Sequence, residues 1–122
     1  QACAQAAQRP LEDDSGGPFR AKAHSADLLL TGDFNLEPDS AEYTLLTSGE
    51  GDHAALVDSW TRLHGKRPHD PTFRLFDRTY GPLPIACDFV FTSASVAPRL
   101  RALRVDLDTQ ASDHQPVLVE LD

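Results

Sequence analysis

Residues 85–92, Ile-Ala-Cys-Asp-Phe-Val-Phe-Thr, constrain this chain more than any other stretch. Successive side chains of a strand point to opposite faces. Ile85, Cys87, Phe89 and Phe91 therefore share one face, and Ala86, Asp88, Val90 and Thr92 share the other. Both faces are largely apolar, so the segment reads as a mostly buried strand with a carboxylate, Asp88, inside it. Such a strand belongs in a layered architecture.

The rest of the chain supplies the other layers. Residues 26–30 are the most apolar run and suit a strand buried on both faces, ending abruptly in Thr31-Gly32-Asp33-Phe34-Asn35. Asp39 and Glu42 are spaced as an N-cap and its third-position partner. They predict a helix through Tyr43, Leu45 and Leu46 to Gly49. A second short helix is predicted from Asp58 through Trp60 and Leu63 to Gly65, followed by a polar, proline-bounded loop over 66–71. Thr72 and Phe73 read as a short strand. Leu103, Val105 and Leu107 alternate with Arg104 and Asp106, as in a strand with one wet face, and 117–121 reads as a further strand. The fold class is α/β (α+β), with strands in the majority and no internal repeat.

Residues 1–25 read differently. The first eight are rich in Ala and Gln, as at the tail of a helix, and 9–25 carry the Pro, Gly and Asp of a mobile loop or linker. The sequence contains no methionine. Its expected organisation is thus a helix remnant and loop over 1–25, then one structured portion over 26–122, the whole being a piece of something longer.

Charge and cysteine content remove several function classes. Lys and Arg number 11 and Asp and Glu 19, a formal charge of −8, so non-specific binding to nucleic acid is open but not favoured. Cys3 and Cys87 are too few for a disulfide framework and stand in no zinc-ribbon spacing. No run reaches the roughly 20 apolar residues of a membrane span. The absence of a G-x-S-x-G elbow argues against a serine hydrolase. Trp60 and Cys87 are expected in the core, and His64 and His69 on the surface.

Three polar clusters interrupt or terminate segments that ought to be buried: Gly32-Asp33-Phe34-Asn35, Asp88, and Ser112-Asp113-His114. A lone buried carboxylate is costly unless it is paired or bound to metal. Asp33, Asn35, Asp88 and His114 are therefore expected to converge on one polar site. Taken singly, each also has a plainer reading, such as an Asx-turn at Asp33 and Asn35.

Leu-Leu-Thr-Gly-Asp-Phe-Asn, Cys-Asp-Phe-Val-Phe and Ser-Asp-His-Gln-Pro-Val, in that order, resemble the last three motifs of the endonuclease/exonuclease/phosphatase superfamily. The resemblance spans about residues 27–121. It implies half of a DNase I-like sandwich of two mostly antiparallel sheets flanked by helices, with the N-terminal half of the same domain, or an equivalent chain, as its partner. It further implies a metal-dependent phosphoesterase using Mg²⁺ or Mn²⁺. By similarity, Asp33 orients and deprotonates the attacking water, Asn35 donates to a phosphoryl oxygen, and His114 faces the phosphate with Asp88 on its other ring nitrogen. Asp113 and Asp33 are the implied metal ligands, and a phosphoester is the implied substrate. The competing reading is a non-catalytic fragment or binding module that keeps the motifs. Relatives carry a basic residue two positions before the strand Asp, where this chain has Ala86.

Overall fold

The computed structural model describes residues 25–49, 51 and 54–122. The expected helix remnant and loop over 1–25 therefore lie, but for Ser25, outside the described residues. Five strands and two α-helices follow in the order β1 (Leu29–Asp33), α1 (Ala41–Ser48), β2 (Val57–Asp58), α2 (Ser59–His64), β3 (Asp88–Thr92), β4 (Leu100–Val105) and β5 (Val117–Leu121). A single 3-10 turn, Ala97–Arg99, leads into β4.

The strands form two antiparallel sheets. One has the order β1-β3-β2 and the other pairs β4 with β5. Strand β3 is central, and its alternation runs as the sequence predicts. Phe89 and Phe91 pack with Leu56 on one face, under Leu28, Leu30, Phe34, Leu36, Tyr43 and Leu46. Val90 on the other face packs with Trp60, Leu103 and Val105, joined by Leu63, Val117 and Val119. The first face is thus covered by the segment leading into α1, and the second by α2 and the β4–β5 sheet. No helix among the described residues is long and apolar enough to cross a membrane.

Five local expectations change. The first strand runs over Leu29–Asp33 rather than 26–30 and is not buried on both faces, Leu29 being exposed. Helix α1 is capped by Ser40, whose hydroxyl accepts from the Tyr43 amide, because Asp39 takes a left-handed conformation (φ 69°) one residue early. Strand β3 begins at Asp88, not Ile85, since the Ile85 backbone is taken by a bridge to Phe73. Strand β4 ends at Val105. Beyond it, Asp106 accepts from the amides of Asp108 and Thr109 and turns the chain, leaving Leu107 exposed. His64 and His69 are not free surface residues: both rings lie against Trp60, at 4.2 and 4.3 Å between centroids. Trp60 itself is 2% exposed, the core residue expected of it.

Candidate active site

The antiparallel register sets Asp33 directly opposite Asp88 at the end of the β1–β3 pair. Neighbouring like charges need a cation or a donor between them. His114 provides one. Its Nδ1–H donates to Asp88 Oδ2 at 2.8 Å, and its Nε2 lies 3.9 Å from Asp33 Oδ2.

Thr72, which is wholly buried, holds these segments together. Its backbone N–H donates to the Ile85 carbonyl, and its carbonyl accepts from the Gln115 amide at 2.7 Å. Its hydroxyl oxygen accepts from the amides of Cys87 and Asp88, both at 3.1 Å. Gln115 is also buried and donates through Nε2 to the carbonyls of Asp106 and Thr109, which fixes the loop carrying His114. Phe73 stacks on the imidazole at 4.5 Å. The sequence showed 72–73 only as a short strand. A Thr with apolar surroundings was the one available signal that its hydroxyl has backbone partners.

Asn35 reaches the same place through a turn. Strand β1 stops at Asp33, and the chain turns with Asn35 at φ 51°, its amide donating to Asp33 Oδ1 at 2.8 Å. Gly32 precedes this turn at φ 151°, a backbone setting that side chains seldom tolerate. The Asx-turn and the shared site are therefore one arrangement.

Asp33, Asn35 and His114 line a hollow of about 510 Å³ together with Glu37, Ser40, Glu42, Phe73 and Cys87. Asp113 does not line it. That residue faces a separate hollow with Phe76, Asp77, Gln110 and Ser112. Asp113, expected to contact the metal directly or through water, thus lines a different hollow from Asp33, although its charge still reaches His114.

The electrostatics follow from these contacts. Burial pulls the His114 pKa down, but the hydrogen bond to Asp88 and the charges of Asp88, Asp33 and Asp113 outweigh it and carry the value above 6.5. Burial, with the nearby Asp88 and Asp33 charges, pushes the Cys87 thiol up to about 12. Cys87 is thus a buried protonated thiol, as expected, and not a nucleophile. The carboxylates of Asp33, Glu37 and Glu42, with Asn35 and Ser40, give the hollow an oxygen-rich lining that fits a hard divalent cation, and Asp33 stands 3.9 Å from the imidazole Nε2.

No curated protein and no solved structure matches the chain. A sequence model of the Endonuclease/Exonuclease/phosphatase family matches residues 4–114, a span that takes in Asp33, Asn35, Asp88 and His114. Two small antiparallel sheets flanked by helices agree with that match, and the chain belongs to the Endonuclease/Exonuclease/phosphatase family.

Proposed function

We propose that this chain is the C-terminal portion of a divalent-metal-dependent phosphoesterase, with Mg²⁺ or Mn²⁺ as its metal. The observation that carries this reading is the Asp88–His114–Asp33 alignment: one carboxylate holds Nδ1 at 2.8 Å while the other lies 3.9 Å from Nε2. Asp88 fixes the imidazole and favours its protonated form. The Nε2–H is then free to donate to a phosphoryl oxygen and to stabilise charge as it accumulates there. Asp33, open to the hollow, accepts a proton from a water held beside it, and the Asn35 amide steadies its other oxygen. The Asn35 side chain, on the rim of the same hollow, donates to a second phosphoryl oxygen.

Asp33 would also hold the divalent cation, in a hollow that Glu37 and Glu42 line as well. The cation, when bound, supplies positive charge to the phosphate being attacked. Hard cations of this size keep several waters and take one or two carboxylates plus substrate phosphate, which the lining of the hollow can furnish.

Strands β1 and β5 lie at the margins of their sheets among the described residues, and Leu29, Leu118 and Leu121 are 42%, 40% and 39% exposed. Apolar sheet margins of that kind support a domain completed by further strands, which are the proposed partner. A panel of phosphodiesters and phosphomonoesters, assayed with Mg²⁺ on a longer parent chain and on the 122-residue chain, tests the reading. Turnover by the parent that Asp33→Ala removes is expected, with none from the shorter chain. Undiminished turnover in Asp33→Ala would overturn the role given to Asp33, and no metal-dependent turnover by the parent would leave the binding-module alternative.

A further inference from the structure

Cys87 is used by nothing described so far, yet it borders the hollow beside the two residues that carry the proposed chemistry. One ligand atom from each of Asp33, Cys87 and His114 lies within 4.8 Å of the others. They come from three separate stretches of chain: the end of β1, the residue before β3, and the loop before β5. A carboxylate oxygen, a thiol sulfur and an imidazole nitrogen are a poor set for Mg²⁺, which takes oxygens in an octahedron. They are a good set for a borderline-soft cation with a tetrahedral habit. We propose that Asp33, Cys87 and His114 form a binding site for Zn²⁺, with a water as the fourth ligand.

Zn–S bonds near 2.3 Å and Zn–N or Zn–O bonds near 2.1 Å place ligand atoms roughly 3.3–3.7 Å apart around a tetrahedron. The 3.9 Å between Asp33 Oδ2 and His114 Nε2 is therefore close to closed already. A second observation points the same way. Zinc-bound histidines characteristically donate their other N–H to a carboxylate, which fixes ring orientation and tautomer. Asp88 accepts from His114 Nδ1 at 2.8 Å and leaves Nε2 turned toward Asp33. The Cys87 amide donates to the Thr72 hydroxyl and its thiol donates to Asp88 Oδ2 at 3.5 Å, so the sulfur is held beside the pair. On binding, the S–H bond breaks, an S–Zn bond forms and the proton leaves to solvent, with no change of oxidation state.

The site shares Asp33 and His114 with the proposed phosphoesterase centre, but its occupancy does not rest on that reading. Only its consequence does: Zn²⁺ seated there withdraws the water-orienting carboxylate and the phosphate-facing imidazole together, and so blocks the Mg²⁺-dependent reaction.

Titration of the 122-residue chain with Co²⁺, without any phosphoester, reads the site directly. One Co²⁺ per chain is expected, with near-ultraviolet thiolate-to-cobalt absorption and the strong visible bands of tetrahedral cobalt. Zn²⁺ should displace it and excess Mg²⁺ should not. Cys87→Ser should abolish the thiolate absorption, Cys3→Ser should keep it, and Asp88→Asn should weaken binding about 10–100-fold. His114→Gln, at a half-exposed position that does not threaten folding, should weaken it further. A weak octahedral spectrum, or thiolate absorption that survives Cys87→Ser, overturns the proposal. Because no hydrolysis is measured, its failure leaves the phosphoesterase reading standing, and failure of that reading leaves a positive cobalt result standing.

Discussion

His114 and His69 each stack on an aromatic ring, Phe73 at 4.5 Å and Trp60 at 4.3 Å, and yet their pKa values move in opposite directions. Burial pulls both down. Around His69 nothing outweighs it: Nδ1–H donates to the Asp70 carbonyl at 2.7 Å, Phe89 meets the ring edge, and the charges of Asp58 and Asp70 recover only part of the loss. Around His114 three carboxylates and one direct hydrogen bond reverse the sign. An aromatic neighbour thus does little to decide what a histidine does. The decisive difference is a carboxylate within hydrogen-bond reach, which favours the protonated form of one ring where burial disfavours it in the other.

Substitutions at the two rings should break the comparison apart most widely. In a longer parent with phosphoesterase turnover, His114→Ala is expected to lower kcat about 10²–10⁴-fold, the usual contribution of a positioned acid or base, with little change in the urea midpoint at alkaline pH, where the ring is neutral. His69→Ala should do the reverse, keeping kcat within a few-fold while losing about 1–3 kcal/mol of stability as the Trp60 stack opens. Equal loss of turnover in both would end the distinction.

Thr72→Val probes what holds His114 in its place. The substitution keeps the shape but leaves the buried amides of Cys87 and Asp88 without their acceptor. A loss of about 1–3 kcal/mol in urea unfolding is expected, the ordinary cost of a stranded buried donor. Thr72→Ser, which restores the hydroxyl, should recover most of it.

Stability against pH should show the two rings working in opposite senses. A raised folded pKa makes the His114 contribution fully present below about 6.5 and lost as pH rises through its folded value. A lowered folded pKa makes the neutral His69 cost nothing above about 6.5 and destabilise increasingly as pH falls toward its own folded value. Replacing His114 with Gln should therefore remove stability on the acid side, and replacing His69 with Phe should add it there. Urea midpoints recorded between about pH 5 and 8 for the metal-free chain measure both.

Much of this was legible in the residues themselves. The two apolar faces of 88–92 demanded layers on both sides, and Phe91 and Val90 have them. Asp33, Asp88 and His114 stand in or beside apolar segments and were expected to meet, and they satisfy one another. What the sequence hid was carried by backbone rather than by side-chain type. Asp39 is a good N-cap residue by propensity, but a left-handed φ takes it out of position and Ser40 caps instead. Asn35 could be read either as an Asx-turn residue or as part of the site, and the backbone makes it both. Asp113 and His114 are adjacent in sequence, yet one turn sends their side chains into different hollows. His69 looked like a loop histidine, and only the return of the loop across Trp60 buries it.

The smallest effect isolates the partner that distinguishes the two rings. Asp88 contributes to His114 twice, through the hydrogen bond at 2.8 Å and through its charge, whereas Asp33 and Asp113 contribute charge alone. Asp88→Asn removes the charge and keeps an oxygen able to accept from Nδ1. The His114 pKa, followed by NMR titration of its ring protons, should then fall toward or below the ordinary 6.5, since burial is no longer outweighed. The His69 resonances should titrate as before, because Asp88 is not among the groups that set its pKa. Asp33→Asn should lower the His114 value less, its charge acting across 3.9 Å without a hydrogen bond. If Asp33→Asn moved it more than Asp88→Asn, the carboxylate that orients the imidazole would be Asp33, and Asp33 could not also serve as the base for water.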